Sequence, residues 1–291
     1  MAEASSAGGS TYQVDPRGWL PRGNGCSLPA DDEALDAALA ERLVPYVRDL
    51  GFTHLEWHAS TIEAPRVAAR CVAEGLTLLS ATSPDAGNAL PRSDSMAPVL
   101  RRLHGVQSDH PDRVWRFAAR RARLTLQWAA PGRVSLAMGD EFAQQRKRGT
   151  DDVDGLSWHL LADPLHEGVQ RLVHDLNRLR RERWGALGWV NRDSVDAATL
   201  AFVRLGVGAA SADLLVACNA STSLLPAWRC GVPRAGRYVE RIASASAQYG
   251  GSVAGWPNGA VDSEAVPWDG CAQSVVLVLP ALGSVMLEGP R

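Results

Sequence analysis

The sequence lacks a charge excess, a paired-cysteine motif and a long apolar segment. Its 30 lysines and arginines nearly balance 32 aspartates and glutamates, and the net charge of −2 argues against electrostatic binding to nucleic acid or to a membrane surface. The five cysteines are widely spaced and include no CxxC pair, which argues against a disulfide framework or a zinc site and favours reduced thiols. The most apolar run, Ser274 to Leu287, is interrupted by Pro280 and is shorter than the ~20 residues of a membrane helix.

Targeting and cofactor motifs are also missing. The first ten residues, MAEASSAGGS, have neither the basic patch nor the apolar stretch of a signal peptide, so we expect a disordered terminus and a soluble, cytoplasmic protein. The acidic run Asp151 to Asp154 lacks the later glutamate of a calcium loop. Gln170 stands where a zinc motif beginning at His166 would need its second histidine. We therefore expect no metal and no other cofactor.

What the chain does contain is an alternation of helical and strand-like patterns. Helix-spaced apolar residues begin after Asp31, end at Gly51 and precede the apolar run 53–57. The same order of helix, glycine and strand recurs over residues 65–80. This alternation is typical of parallel α/β architecture.

Further along the chain the pattern changes its period. Residues 112–129 predict a helix whose arginine-rich side is either a solvated face or a partner surface, and residues 133–137 predict a strand. Asp163 and Pro164 begin another helix. The last third predicts an antiparallel β-domain, with strand-like runs at Thr199–Arg204, Asp213–Asn219, Tyr238–Ala243 and Ser274–Leu279.

Three longer runs carry a family signature. They are VSLAMGDEFAQ at Val134 to Gln144, LSWHLLADPLHEGVQRLVHDLNRL at Leu156 to Leu179, and LVPYVRDLGFTHLEW at Leu43 to Trp57. The first two resemble the carboxy-terminal half of 1,4-α-glucan branching enzymes of the α-amylase superfamily, and the third resembles the start of their barrel. The resemblance implies an α/β fold, with an incomplete (β/α)8 TIM-barrel remnant over residues 11–190 and an all-β C-terminal sandwich domain over residues 191–291.

The family's catalytic residues have no counterpart at the aligned positions. Its third strand ends in an Asp-Trp-Val-Pro-x-His pattern, whose Asp and His positions hold Ala81 and Ala86 here. The strands that supply its nucleophile and its acid/base have no counterpart, and the acid after its seventh strand aligns within Val99 to Arg101. Retaining transfer of α-glucan needs two carboxyl groups side by side. We therefore expect a truncated homologue with no catalytic residue, although whether the chain is an enzyme stays open.

Four residues remain as candidates for substrate binding: Trp57, His58, Glu141 and Trp158. Asp140 and Glu141 follow the last barrel strand, but adjacent strand residues point to opposite faces, so both cannot flank one bond. The resemblance implies a supporting role for Glu141. The aromatic residues lie at or just after strand ends, where they either stack on sugar rings or fill the core.

The function favoured by these patterns is that of a branching-enzyme-like protein of α-glucan (glycogen) metabolism. Such a protein would be catalytically inactive and would act by binding the glucan polymer or by associating with a full-length enzyme. The alternative is an active 1,4-α-glucan branching enzyme that forms α-1,6 branches in glycogen. The four candidate barrel strands are Thr11–Val14, Thr53–Trp57, Leu76–Ser80 and Arg133–Ala137. Four strands cannot close an eight-stranded barrel, so their open edges predict a homodimer or a complex with an intact branching enzyme.

Overall fold

Helices and strands form over most of the chain in the computed structural model, which describes residues 9–20, 31–58, 63–80, 96–145, 155–181, 184–190, 198–207 and 211–291 except 254 and 256. The chain divides into a first unit, Met1–Ala89 with Gly132–Arg178, and a second unit, Leu90–Pro131 with Leu179–Arg291. The elements in chain order are β1 (Ser10–Val14), α1 (Pro16–Trp19), α2 (Asp32–Asp49), β2 (His54–Trp57), α3 (Pro65–Ala73), β3 (Thr77–Ser80), α4 (Ala97–Asp109), α5 (Arg113–Ala129), β4 (Val134–Ala137), α6 (Pro164–Arg180), β5 (Trp184–Val190), β6 (Thr199–Gly206), β7 (Leu214–Asn219), β8 (Leu225–Val232), β9 (Arg237–Ala243), β10 (Ala260–Asp262), β11 (Gln273–Leu279) and β12 (Gly283–Glu288). Short 3-10 helices lie at Asp140–Phe142, Trp158–Ala162 and Ala247–Tyr249.

A four-stranded parallel sheet forms the centre of the first unit, in the order β3-β2-β1-β4. The four barrel-type strands expected from the sequence are all present, and their bounds differ from the expected ones by one residue. Tyr12 pairs with Leu55 and Gln13 pairs with Glu56, so alternation places an apolar and a polar pair on opposite faces of the sheet. The Tyr12 ring lies 6.2 Å from that of Tyr46, which shows that the apolar face is turned towards α2.

A buried aspartate joins α2 and α3 in the first unit. Helix α3 begins after Ala64, whose methyl side chain cannot accept a hydrogen bond from the first turn. Asp36 of α2 supplies the missing acceptor, because its carboxylate receives hydrogen bonds from the backbone N–H groups of Arg66 and Val67 at 2.8 and 2.9 Å. A carboxylate at a helix N-terminus satisfies otherwise unpaired amides and complements the helix dipole. Asp36 thus fixes where α3 starts relative to α2.

Two antiparallel sheets build the β-region of the second unit. One has six strands in the order β10-β9-β12-β7-β6-β5, and the other pairs β11 with β8. Their core consists of buried side chains that include Ala201, Leu215, Cys230, Val275 and Leu287. The α/β part with a parallel sheet and the antiparallel β-region expected from the sequence are therefore both confirmed.

Helix α5 packs on the opposite face of the six-stranded sheet. Along β12, Val285 and Leu287 belong to the core between the sheets, whereas Ser284 donates its hydroxyl to the carbonyl of Ala122 in α5 at 3.1 Å. The buried Arg121 donates from Nε to the carbonyl of Ser244 at 2.8 Å. Polar contacts thus tie this helix directly to the β-region.

Several elements of the β-region were missed in the sequence. The run Trp184–Val190 is a strand rather than a connection, and its pairing with β6 shifts register twice, near its two glycines. Glycine in a strand marks bulges, which weakens the alternation that predicts a strand. The apolar run 274–287 divides at Pro280, so that β11 pairs with β8 and β12 pairs with β7 and β9. Residues 99–101, aligned with a strand end in the resemblance, lie inside α4.

The boundary predicted near residue 190 separates α5 from the β-region, whereas the second unit contains both. The boundary stays a prediction, and α5 provides its test. A fragment of residues 191–291 lacks the Ala122 carbonyl that pairs with Ser284. It also lacks the α5 side chains buried in the intact chain, among them Leu124 and Leu126. We expect this fragment to be less stable than the same region in the full chain by about 3 kcal/mol or more, measured by urea unfolding.

The control fragment joins residues 97–131 to residues 184–291 through a short flexible linker. We expect this fragment to recover the stability that the shorter one lacks, because it restores α5 and β5. If residues 191–291 alone unfold cooperatively with full stability, α5 is dispensable and the boundary near residue 190 is correct.

Candidate functional site

A sharp turn after β4 directs Glu141 into the interior. Gly139 adopts a φ of 87° and Ala143 a φ of 59°, so left-handed residues flank the short 3-10 helix 140–142. A Cβ on Gly139 would lie 3.0 Å from a methyl carbon of Leu156, which leaves little space for any other residue. The turn continues the pairing of β4 with β1, since the Met138 N–H donates to the carbonyl of Gln13 at 2.8 Å.

Two tyrosines from different elements meet the Glu141 carboxyl group. Tyr12 of β1 and Tyr46 of α2 donate their hydroxyls to the same oxygen, Oε1, at 2.9 and 2.8 Å. Gln170 of α6 donates from Nε2 to the Tyr46 hydroxyl at 3.0 Å. Oε2 is buried and has no hydrogen-bond partner among the described residues. Glu141 and Tyr12 are fully buried and Tyr46 and Gln170 are partly buried, so the network runs from the interior towards the surface.

Burial dominates the electrostatics of this network. Desolvation raises the pKa of Glu141 from 4.5 to about 7, partly opposed by the hydrogen bonds that its carboxylate accepts from its own backbone N–H, Tyr46 and Tyr12. Desolvation and the nearby Glu141 carboxylate raise the pKa of both Tyr12 and Tyr46. The tyrosines therefore remain protonated donors throughout the physiological range, and Glu141 is the group that titrates.

Trp158 lies beside the same network in an aromatic cluster. Its ring centroid is 5.2 Å from those of Tyr46 and Trp19, both in edge-on arrangements, and 5.7 Å from that of Phe142. Edge-to-face packing at these distances is favourable and fixes the ring orientation. Trp158 is partly exposed, whereas Trp19 is buried. Of the four sequence-predicted residues, Trp158 and Glu141 are thus brought together, and Tyr46 contacts both.

Trp57 and His58 lie at the end of β2 and are apart from this cluster in the described contacts. Trp57 is 7% exposed, which leaves little ring surface for a ligand. His58 Nε2 lies 3.4 Å from Glu56 Oε1, and Gln13 donates to Glu56 Oε2 at 3.2 Å. These contacts form a second, separate polar group on the other face of the sheet. A role in glucan binding for Trp57, His58, Glu141 and Trp158 stays a prediction.

Sequence reasoning missed the tyrosines that hold Glu141. Tyr12 and Tyr46 are 129 and 95 residues from Glu141 in the chain, so no local spacing connects them. The helical periodicity of α2 marks its apolar face and does not distinguish Tyr46 as a donor. Only the pairing of β1 with both β2 and β4 brings these residues to one place.

The arrangement suits structural support better than acid–base chemistry. A fully buried carboxyl group with two tyrosine donors cannot reach a glycosidic oxygen in the described conformation. In the part of the chain that the structure describes, no group of three or more His, Cys, Asp or Glu side chains could hold a metal ion. Within the same residues, no helix is both long and apolar enough to span a membrane.

Comparison with known proteins shows what two parts of the chain resemble. Residues 189–289 match the model of the α-amylase C-terminal all-beta domain. The chain is 37% identical over 185 residues to the 1,4-alpha-glucan branching enzyme GlgB of Cereibacter sphaeroides and 38% identical over 203 residues to that of Rhodospirillum rubrum. Over these segments the chain is similar to branching enzymes of the α-amylase superfamily. The resemblance stated from the sequence is therefore confirmed.

The similarity covers only part of these relatives. The matched segments cover 60% and 65% of this chain but 25% and 27% of the two enzymes, so the chain spans about a quarter of their length. Among solved structures, an α-amylase from Geobacillus thermoleovorans in complex with acarbose aligns with a TM-score of 0.45 and 11% identity, over 94% of this chain and 72% of that one. A pullulanase from Paenibacillus barengoltzii aligns with a TM-score of 0.41 and 20% identity, over 63% and 26% of the two chains.

The raised pKa of Glu141 predicts a pH-dependent stability. Because the folded state favours the protonated carboxyl, its stabilising contribution is complete below the unfolded-state pKa near 4.5 and is lost as the pH rises through about 7. Glu141→Gln keeps an acceptor oxygen for the tyrosines and does not titrate. The free energy of unfolding of the original protein, relative to that of this variant, should fall by on the order of 3 kcal/mol between pH 4.5 and pH 8, measured by urea unfolding.

Glu41→Gln is the matched control, because Glu41 is exposed on α2. This variant should follow the pH profile of the original protein. Parallel profiles for the original protein and Glu141→Gln would contradict the assignment of the titration to Glu141.

Proposed function

We propose that the chain acts in α-glucan metabolism as a branching-enzyme-like protein that binds α-glucan without transferring it. The observation that carries this proposal is the combination of 35–40% identity to branching enzymes with Ala81, Ala86 and Leu100 at positions where the family has functional side chains. Ala81 and Ala86 lie outside the described residues. Leu100, at the third aligned position, is buried in α4.

The order of the parallel sheet supports the same proposal. Strand β4, which resembles the last barrel strand, pairs directly with β1, and β3 follows β2 on the other side. In the sheet formed by the described residues, no strand stands where the family would place its nucleophile and its acid/base. Glu141, which follows β4, is fully buried and accepts hydrogen bonds from Tyr12 and Tyr46. Two neighbouring carboxyl groups open to a glucan are needed for retaining transfer.

An active branching enzyme is the second candidate, and the names of the relatives favour it. The proteins from Cereibacter sphaeroides and Rhodospirillum rubrum are both named 1,4-alpha-glucan branching enzymes. This function would require a catalytic set assembled from residues other than those of the family motif, or one supplied by another chain.

A branching assay separates the two candidates. The purified chain, incubated with amylose and followed by iodine staining, should leave the stain unchanged, and it should be retarded in a native gel that contains glycogen. A turnover near ordinary enzyme values, ~1–10³ s⁻¹, would show that the chain is an active enzyme. Absence of both activity and retardation would contradict a role in glucan binding.

Association with another chain is a further part of this proposal. In the described sheet, β3 and β4 each pair with a single strand, whereas a barrel closes on itself and leaves no strand edge. We expect a homodimer, or a complex with an intact branching enzyme, that covers these edges. Light scattering after size exclusion, with and without a full-length branching enzyme, measures this. A monomer at micromolar concentration that also fails to bind the full-length enzyme would contradict it.

A further inference from the structure

The second unit presents an exposed tryptophan on a hairpin far along the sequence from the candidate site. Trp268 is 46% exposed and belongs to the segment 264–274, which we call the Trp268 hairpin. Antiparallel bridges join Glu264 with Ser274 and Trp268 with Cys271. An indole that is half open to water gives up much of the stabilisation that its burial would provide, so its exposure calls for a physical reason.

The backbone beneath Trp268 is firmly held. Trp268 and Cys271 exchange both backbone hydrogen bonds, at 3.0 and 2.9 Å, around a turn whose central residues Asp269 and Gly270 have φ values of 49° and 77°. Two positive φ values define the type I′ turn, which is favoured in tight hairpins. The Asp269 carboxylate also accepts from the Gly231 N–H in β8 at 3.1 Å.

Gly231 allows the hairpin to lie directly on β8. A Cβ at this position would be 2.2 Å from the carbonyl oxygen of Trp268, a distance that no side chain permits. The close approach is therefore specific to glycine. The backbone that carries the indole has little conformational freedom, so binding of a ligand there costs less conformational entropy.

Polar groups suited to hydroxyl recognition lie at the base of the hairpin that carries Trp268. Arg229 Nη1 lies 2.7 Å from Glu264 Oε2 and donates to the Ser274 hydroxyl at 2.8 Å, and that hydroxyl donates to the Val266 carbonyl at 2.8 Å. The side chain of Glu264 is 52% exposed and that of Arg229 is 26% exposed. Donor and acceptor groups are therefore both open to solvent.

The polar pair and the turn that carries Trp268 lie over the same face of β8. Arg229 and Gly231 are two residues apart in the strand and share a face, whereas Cys230 between them points into the core. The turn covers Gly231, and Arg229 contacts the first and last residues of the hairpin. The turn that presents Trp268 and the hydroxyl-binding groups are thus on one side of the small sheet.

We propose that the Trp268 hairpin is a surface binding site for α-glucan, in which a glucose ring stacks on the indole and its hydroxyls bond to Arg229 and Glu264. The exposed large apolar side chains of the hairpin are only Val266 and Trp268, which is too little for the ~800 Å² that each partner of a stable protein complex buries. One sugar ring with its apolar face fits this area. The inference rests on the proposed function, since it requires the chain to bind α-glucan.

The test measures retardation of the full chain in native gels of increasing glycogen concentration. Trp268→Ala should weaken the apparent affinity by about threefold to tenfold, and Trp268→Tyr, which keeps an aromatic face, should restore most of it. Leu224→Ala is the matched control, because Leu224 is 56% exposed in the same unit and is not aromatic. Thermal melting of each variant confirms that its fold is retained.

Each outcome distinguishes the site from the proposed function. Retardation of the original protein and of Trp268→Ala to the same extent would overturn the hairpin site and leave glucan binding intact. Equal weakening in Trp268→Ala and Leu224→Ala would also overturn it, because the loss would not be specific to the indole. No retardation of any variant would overturn both proposals. Loss of a glucan-independent dimer in Trp268→Ala, seen by light scattering, would assign the indole to a second copy of the chain instead.

Discussion

The buried carboxyl group of Glu141 is the constraint around which the first unit is built. A carboxyl group removed from water costs several kcal/mol unless hydrogen-bond donors replace the water. Tyr12 and Tyr46 supply those donors, and Gln170 orients Tyr46. The network therefore fixes β1, α2, α6 and the turn after β4 relative to one another, because a shift of any one of them would leave a buried polar group unpaired.

The aromatic cluster follows from this constraint. Tyr46 belongs to the hydrogen-bond network through its hydroxyl and to the cluster through its ring, which packs edge-on against Trp19 and Trp158. His166 of α6 adds another connection, since its Nδ1 lies 2.6 Å from the carbonyl of Phe142. The carbonyl can only accept, so this ring nitrogen carries the proton. Trp158, a candidate ligand-binding residue, thus packs on Tyr46 and Phe142, and hydrogen bonds to Glu141 and His166 hold these two residues in place.

In the second unit, two arginines bind the backbone carbonyls at the C-terminal end of α5. Arg180 donates to the Trp128 carbonyl and, at 3.1 Å, to that of Ala130, while Arg204 donates to the Ala129 carbonyl at 2.7 Å. Cations are favoured at the C-terminus of a helix because its last carbonyls are unpaired and carry the negative end of the helix dipole. Burial and, to a smaller extent, the nearby Arg204 charge lower the pKa of Arg180 to about 10. Both side chains still hold their protons at neutral pH, so the charge that complements the helix end is retained.

The sequence by itself determined the parallel strands, most of the helices and the antiparallel β-region, because period, caps and turn residues are local properties. The resemblance to branching enzymes came separately, from the motifs of three longer runs. It also marked Glu141 as a candidate site residue, because the motif that contains it lies within one short segment. Tertiary structure alone decided that Tyr12 and Tyr46 would pair with Glu141, that Trp57 would be almost completely buried, and that α5 would pack on β12. It also decided that Trp268 would stay half exposed above Gly231. These features depend on which distant segments meet, and the pattern of a single segment does not contain that information.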